Sequence, residues 1–273
     1  MGNKLHMVGK KRKKKTKRRS KTKTNLKVVD VPLAKKSSKG SKASEGSIKY
    51  HYQRYYNTFA FLKKIIKKNK TLKKRVCIPD VGEGWMKSFL KIHFFKNVPE
   101  INSVMSIKPV DSDKSLNKFM SEVERCMKHR LVPISLEIIV PGVGTHANII
   151  LIDTKKKTVE LFEPHGNRDN KSSLESISRA YYKVSKNVKR FFSFYLPEYK
   201  YIAPSDYEPG EGLQFRLDAF SGLCVTWSIL YLHYRVLNPD IPQKQLIDYM
   251  DTKVTKSVLL RYTRYVEEIL KTK

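Results

Sequence analysis

Apolar residues recur along the chain with two different periods, and the change between them falls at Leu131. Before it the repeat is helical. Residues 52–75 place Tyr55, Phe59, Leu62 and Ile66 three or four positions apart with lysines between them, which predicts an amphipathic basic helix packed on a core by one face. Residues 85–95 read as a second helix and residues 115–129 as a third, with Leu116, Phe119, Met120, Val123 and Met127 on one side. From Leu131 the chain turns to β-branched runs. Residues 131–140 (LVPISLEIIV), 146–153 (HANIILID) and 158–164 (TVELFEP) predict three strands, the last two closed into a hairpin across residues 154–157. Helical spacing returns over 172–192 through Leu174, Ile177, Tyr181, Val184, Val188 and Phe191, with Ser172 or Ser173 available as a cap. A short strand at 199–203, a Gly-rich loop at 209–214 (PGEGLQ), an apolar helix over 224–237 and two further helices at 243–250 and 256–270 complete the chain. Helices, then neighbouring strands, then helices is an α+β order.

Charge divides the 273 residues differently. The whole chain carries 56 Lys and Arg against 25 Asp and Glu, a formal charge of +31. Residues 1–50 hold 18 of those cations and 2 acids, residues 51–130 hold 18 and 7, and residues 131–273 hold 20 and 16. Three units follow: a disordered polybasic arm (1–50), a basic helical region packed on the core (51–130), and the α+β core with its C-terminal helices (131–273). The run Lys10, Lys11, Arg12, Lys13, Lys14, Lys15, Lys17, Arg18, Arg19 has almost nothing apolar to bury and suits salt-dependent, sequence-tolerant contact with phosphates, or nuclear import. No apolar run is long enough for a bilayer, which argues against a membrane partner. His6 stands where a myristoylation signal wants Ser or Thr. The three cysteines, Cys77, Cys126 and Cys224, are too few and scattered for a disulfide framework, which points to a reducing compartment where any of them could remain a thiol.

Two patterns invite chemistry. The segment 141–147 (PGVGTHA) matches a dinucleotide fingerprint in letters only: the motif needs a helix to begin at its last glycine, and a strand follows, so its glycines read as a turn. The second pattern is a set of four side chains. His146 opens one hairpin strand, Glu163 closes its partner 17 residues later, Gln214 sits in the Gly-rich loop, and Cys224 heads the apolar helix. A cysteine at a helix N-terminus has its thiolate stabilised by the dipole, an imidazole takes its proton, and a carboxylate orients the imidazole. Gln214 supplies an amide for an oxyanion. His165 reads as a turn residue and Trp227 as core. His146, Glu163, His165 and Cys224 lack the short paired spacing of a metal site, so no metal or other cofactor is expected.

The order and spacing of His146, Glu163, Gln214 and Cys224 resemble the cysteine peptidase clan of the adenovirus maturation protease and the SUMO-deconjugating, ubiquitin-like-protein-specific proteases. Residues 146–166 and 221–240 also look like segments of large-DNA-virus proteins related to that clan. The resemblance covers roughly residues 131–240 and implies a papain-like α+β fold whose central helix, headed by Cys224, packs on a small mixed or antiparallel sheet. It also implies glycine or other small residues beside the cleaved bond. The chain departs from the clan at Ala147, where Trp is usual, at Val225, where Gly is usual, and in the ten residues separating Gln214 from Cys224.

Two functions are therefore carried forward. The first is a thiol protease acting on a protein substrate at peptide or isopeptide bonds, in viral protein processing, held by its basic arm to nucleic acid or a virion interior, in the virion and in host cytoplasm or nucleus. The alternative is a catalytically inactive virion protein that keeps the peptidase fold as a scaffold and binds nucleic acid through the arm.

Overall fold

The computed structural model describes residues 27–35, 55–79, 89–93, 107–108, 113–140, 144–166, 175–207, 210–218 and 223–272. The basic run at 10–19, the caps Ser172 and Ser173, and residues 141–143 of the glycine turn lie outside them. In chain order the elements are α1 (Tyr55–Lys68), α2 (Lys70–Arg75), β1 (Phe89–His93), β2 (Ile107–Lys108), α3 (Asp113–Cys126), β3 (Leu131–Val140), β4 (Gly144–Asp153), β5 (Thr158–Phe162), α4 (Glu175–Tyr195), β6 (Lys200–Ile202), α5 (Pro204–Tyr207), α6 (Leu213–Asp218), α7 (Cys224–Leu237), α8 (Gln243–Lys253) and α9 (Lys256–Lys271). Among the described residues no helix is long and apolar enough to cross a membrane.

The strands form one mixed sheet in the order β2-β1-β3-β4-β5-β6. The hairpin of β4 and β5 is antiparallel as its sequence predicts, with Asp153 paired to Thr158. Asp153 Oδ1 shapes the connecting turn by accepting from the amides of Lys155 and Lys156 at 3.0 Å each. Because β4 is central, it is apolar on both sides. Ala147, Ile149 and Leu151 join the core under α1, α7, α8 and α9. Ile150 and Ile152 join the opposite core, beneath α3 and α4. The result is an α+β molecule of three layers with the sheet in the middle.

Three expectations are corrected. The helix expected over 85–95 is a strand where it is described: Phe89–His93 pairs in parallel with β3, from Phe89 opposite Ser135 to His93 opposite Ile139. Short apolar runs fit either period, and here the open edge of β3 decides. The helix expected over 52–75 is two, because Asn69 leaves helical geometry (φ −124°, ψ 107°) and its Oδ1 caps α2 by accepting from the amides of Thr71 and Leu72. The cysteines are not all thiols: Cys77 and Cys126 form a disulfide, and only Cys224 is free. Their 49-residue separation is sequential rather than spatial. The Cys77 amide donates to the Leu131 carbonyl at 3.0 Å and Cys126 ends the helix that leads into the same strand, so both sulfurs meet at the start of β3.

Helix α7 is buried from Cys224 to Val236, which explains why its sequence is apolar on every side. The exception is Arg235, which is fully buried yet chelates Glu160 of β5 through Nε to Oε2 at 3.0 Å and Nη2 to Oε1 at 2.7 Å. Its Nη1 donates to the carbonyls of Asn238 and Ile241. Removing one partner strands the other charge in a dry site. We expect Arg235→Met to cost about 3–5 kcal/mol of folding stability by denaturant unfolding; a loss under about 1 kcal/mol would show the pair to be dispensable. In the unreduced, denatured chain, thiol titration should find one reactive cysteine, and three after reduction.

Candidate active site

Four elements of the fold converge at one end of α7. Cys224 is the first residue of that helix. Its preceding residue, Leu223, makes no side-chain cap, so no competing acceptor from the cap position occupies the first-turn amides. The Ser228 hydroxyl donates to the Ala147 carbonyl at 3.1 Å, which pins this end of the helix against β4 one residue from His146. His146 lies near the start of β4, and Glu163 directly follows β5. Antiparallel pairing of β4 with β5 carries the two to the same end of the sheet.

Their geometry is tight. His146 Nε2 stands 2.6 Å from Glu163 Oε1, and both side chains are buried. The His146 side chain also hydrogen-bonds the Cys224 side chain. With Nε2 committed to the carboxylate, Nδ1 is the ring nitrogen left for the sulfur. Carboxylate, imidazole and thiol thus form one row.

Two residues that sequence reasoning missed hold the carboxylate. Asn148 Nδ2 donates to Glu163 Oε2 at 2.6 Å, and the His165 amide donates to Oε1 at 2.9 Å. Asn148 was within reach of a pattern argument, since residues two apart on a strand share a face and it follows His146 by two. His165 is in a turn, as expected, but its ring also meets His146 edge to face with centroids 4.7 Å apart.

Burial alone would discharge all three groups, and their neighbours reverse it. Burial pulls the His146 imidazole down, but the Glu163 charge and hydrogen bonds to Cys224 and Glu163 outweigh it, and the ring is pushed up to about 10. For Glu163, burial pushes the carboxyl up, while the charge and hydrogen bond of His146, with help from His165, hold it below its ordinary range. Burial likewise pushes the Cys224 thiol up. The hydrogen bond and charge of His146 and a hydrogen bond with the Ala147 backbone bring it down, below the ordinary thiol value. Between the lowered thiol value and the raised imidazole value the three groups are charged together, as thiolate, imidazolium and carboxylate.

Gln214 is placed differently from the sequence expectation. It belongs to the first turn of the short helix α6 instead of a loop. The side chain is buried, and its Oε1 has no hydrogen-bond partner among the described residues. Its segment is zipped to the one that carries Glu163: the Gln214 amide donates to the Pro164 carbonyl at 2.9 Å and the Gly212 amide to the His165 carbonyl at 2.8 Å. The two backbones touch where Gly166 (φ +79°) meets Gly212, and a Cβ on Gly212 would lie 2.2 Å from the Gly166 nitrogen. We expect Gly212→Ala to force the segments apart and cost about 1–3 kcal/mol by denaturant unfolding, with equal stability of variant and parent showing that the contact is slack.

No family model matches the chain. A curated protein of Acanthamoeba polyphaga mimivirus, named as putative ankyrin repeat protein L371, is 25% identical over a 192-residue match that covers 62% of this chain. The match spans only 23% of that protein's length. Two solved structures of ChlaDub1 from Chlamydia trachomatis, one of them described as an effector protein, are 14% and 9% identical with TM-scores of 0.34 and 0.39. They cover 61% and 88% of this chain and 71% and 96% of theirs.

Proposed function

We propose that the protein is a thiol-dependent protease of papain-like fold that cleaves peptide or isopeptide bonds in a protein substrate. The observation that carries this reading is the buried row in which His146 links Glu163, at 2.6 Å, to the Cys224 side chain. The Cys224 thiolate attacks the scissile carbonyl, and the new C–S bond forms as the carbonyl π electrons move to oxygen. The His146 imidazolium gives its proton to the leaving amine as the C–N bond breaks, leaving a thioester on Cys224. Neutral His146 then takes a proton from water, whose oxygen attacks the thioester and releases the acid and the thiolate. Glu163 stabilises the imidazolium and fixes its ring, with Asn148 and the His165 amide holding the carboxylate in turn. The amide of Cys224 at the helix N-terminus and the Gln214 side chain supply hydrogen-bond donors to the oxyanion. In this reading the basic arm, through Lys10 to Arg19, keeps the enzyme beside polyanions during viral protein processing.

A glycine-terminated fluorogenic peptide amide and a thiol-directed activity probe test the reading together. His146→Ala should lower kcat/KM by about 10²–10⁴, and Cys224→Ala should abolish both turnover and probe labelling. Labelling that ignores His146, or no turnover of any peptide or isopeptide substrate by the parent, would favour the inactive scaffold instead. The charge state also fixes a pH profile. The productive thiolate and imidazolium coexist above the lowered thiol value and below the raised imidazole value, so kcat/KM should be bell-shaped with its alkaline limb near about 10. Glu163→Gln removes the largest influence raising His146 and should shift that limb down towards the ordinary imidazole range.

A further inference from the structure

Residues 55–79, which form α1, α2 and the chain after them, contain eight Lys and Arg and no acid. Two of these cations have structural work. Arg75 Nη1 donates to the Val236 carbonyl at 3.1 Å, satisfying the C-terminal end of α7, and Lys64 donates to the Leu270 and Thr272 carbonyls at the end of α9. Five others, Lys67, Lys68, Lys70, Lys73 and Lys74, are exposed, and among the described residues none of the five has an ion-pair partner. The bend at Asn69 keeps them together, since it joins the last turn of α1 to α2 without an intervening loop.

The position of this surface follows from Arg75. Its partner Val236 is 12 residues beyond Cys224 in one helix, about 18 Å along the axis at the helical rise per residue. The lysines therefore occupy the pole of the molecule opposite the catalytic cysteine. Residues 27–35, part of the arm expected to be disordered over 1–50, are instead docked at the same pole: Val31 and Ala34 are buried, the Val29 amide donates to Asn238 Oδ1 at 2.7 Å, and Asn238 Nδ2 donates to the Val29 carbonyl at 2.8 Å. Asp30 of this strap accepts from the hydroxyls of Tyr234 and Tyr249.

We propose that the folded α1–α2 surface is a nucleic-acid backbone site in its own right, additional to the N-terminal arm and independent of the peptidase reading. Lysine is a strongly hydrated point charge with rotatable donors, suited to phosphates without base selectivity. A membrane surface fits less well: among the described residues the exposed large apolar ones are Val29, Phe194 and Leu217, and none of these belongs to α1 or α2. Being at the far pole, the site leaves Cys224 clear while the duplex is bound.

Fluorescence anisotropy with random-sequence duplex DNA across a salt series tests the site in the full chain. With all 18 Lys and Arg of residues 1–50 changed to Gln, binding should persist, with a slope of log affinity against log salt of about −4 to −5, from about 0.9 per neutralised phosphate. Adding K67Q, K68Q, K70Q, K73Q and K74Q should abolish it, and Arg at the same five positions should restore it. Unchanged unfolding midpoints and probe labelling of Cys224 would confirm that these variants are folded. Loss of all binding on changing the arm alone would overturn the proposal, as would binding that survives the five Gln substitutions. So would arm-neutralised protein that binds phosphatidylserine vesicles but not DNA.

Discussion

A carboxylate placed 2.6 Å from an imidazole, in a site from which water is largely excluded, is the constraint on which the rest of this molecule depends. Burying an unpaired ionised group is expensive, and each of the three reactive side chains is buried. They can be charged only as a set. Glu163 carries the negative charge that keeps His146 protonated, and protonated His146 is what draws the Cys224 proton away. Remove the carboxylate, and His146 loses the largest influence that opposes its desolvation.

The scaffold meets that demand by fixing α7 against the hairpin at two points. Near the helix start, Ser228 holds the Ala147 carbonyl beside His146. Near its end, Arg235 grips Glu160, three residues before Glu163 on the chain. The helix that carries the nucleophile is thus registered against both strands that carry its partners. The turn at 163–166 adds a third restraint, because the same short segment presents the carboxylate, sets the His165 ring edge to face with His146 and pairs with the backbone of 212–214. The geometry of the candidate site and the core packing are one set of contacts here, and the lysines and the strap of 27–35 gather at the other end of α7.

Much of this was legible in the chain. The hairpin could be read from two β-branched runs around a four-residue turn, and the 17-residue offset of Glu163 from His146 then places both at one end of it. The apolar helix headed by Cys224 was equally plain, since no amphipathic period survives in it. What failed was whatever depended on a distant partner. The segment Phe89–His93 is a strand because β3 offers it an edge. Cys77 and Cys126 are joined because α2 and α3 both deliver their ends to the start of β3, which no spacing of cysteines reveals. Asn148 and the fit of Gly166 against Gly212 are invisible until the turn that follows β5 is seen to fold back on residues 210–214.

The central claim concerns a charge state, so the most direct measurement is a pH titration of the Cys224 thiolate by its ultraviolet absorbance, taken as the difference between the parent and Cys224→Ser. The thiolate should appear at a midpoint below the ordinary thiol value, and in His146→Ala that midpoint should rise, because burial is then opposed only by the hydrogen bond with the Ala147 backbone. A parent midpoint at or above the ordinary thiol value, unmoved by loss of His146, would contradict the ion pair and with it the protease.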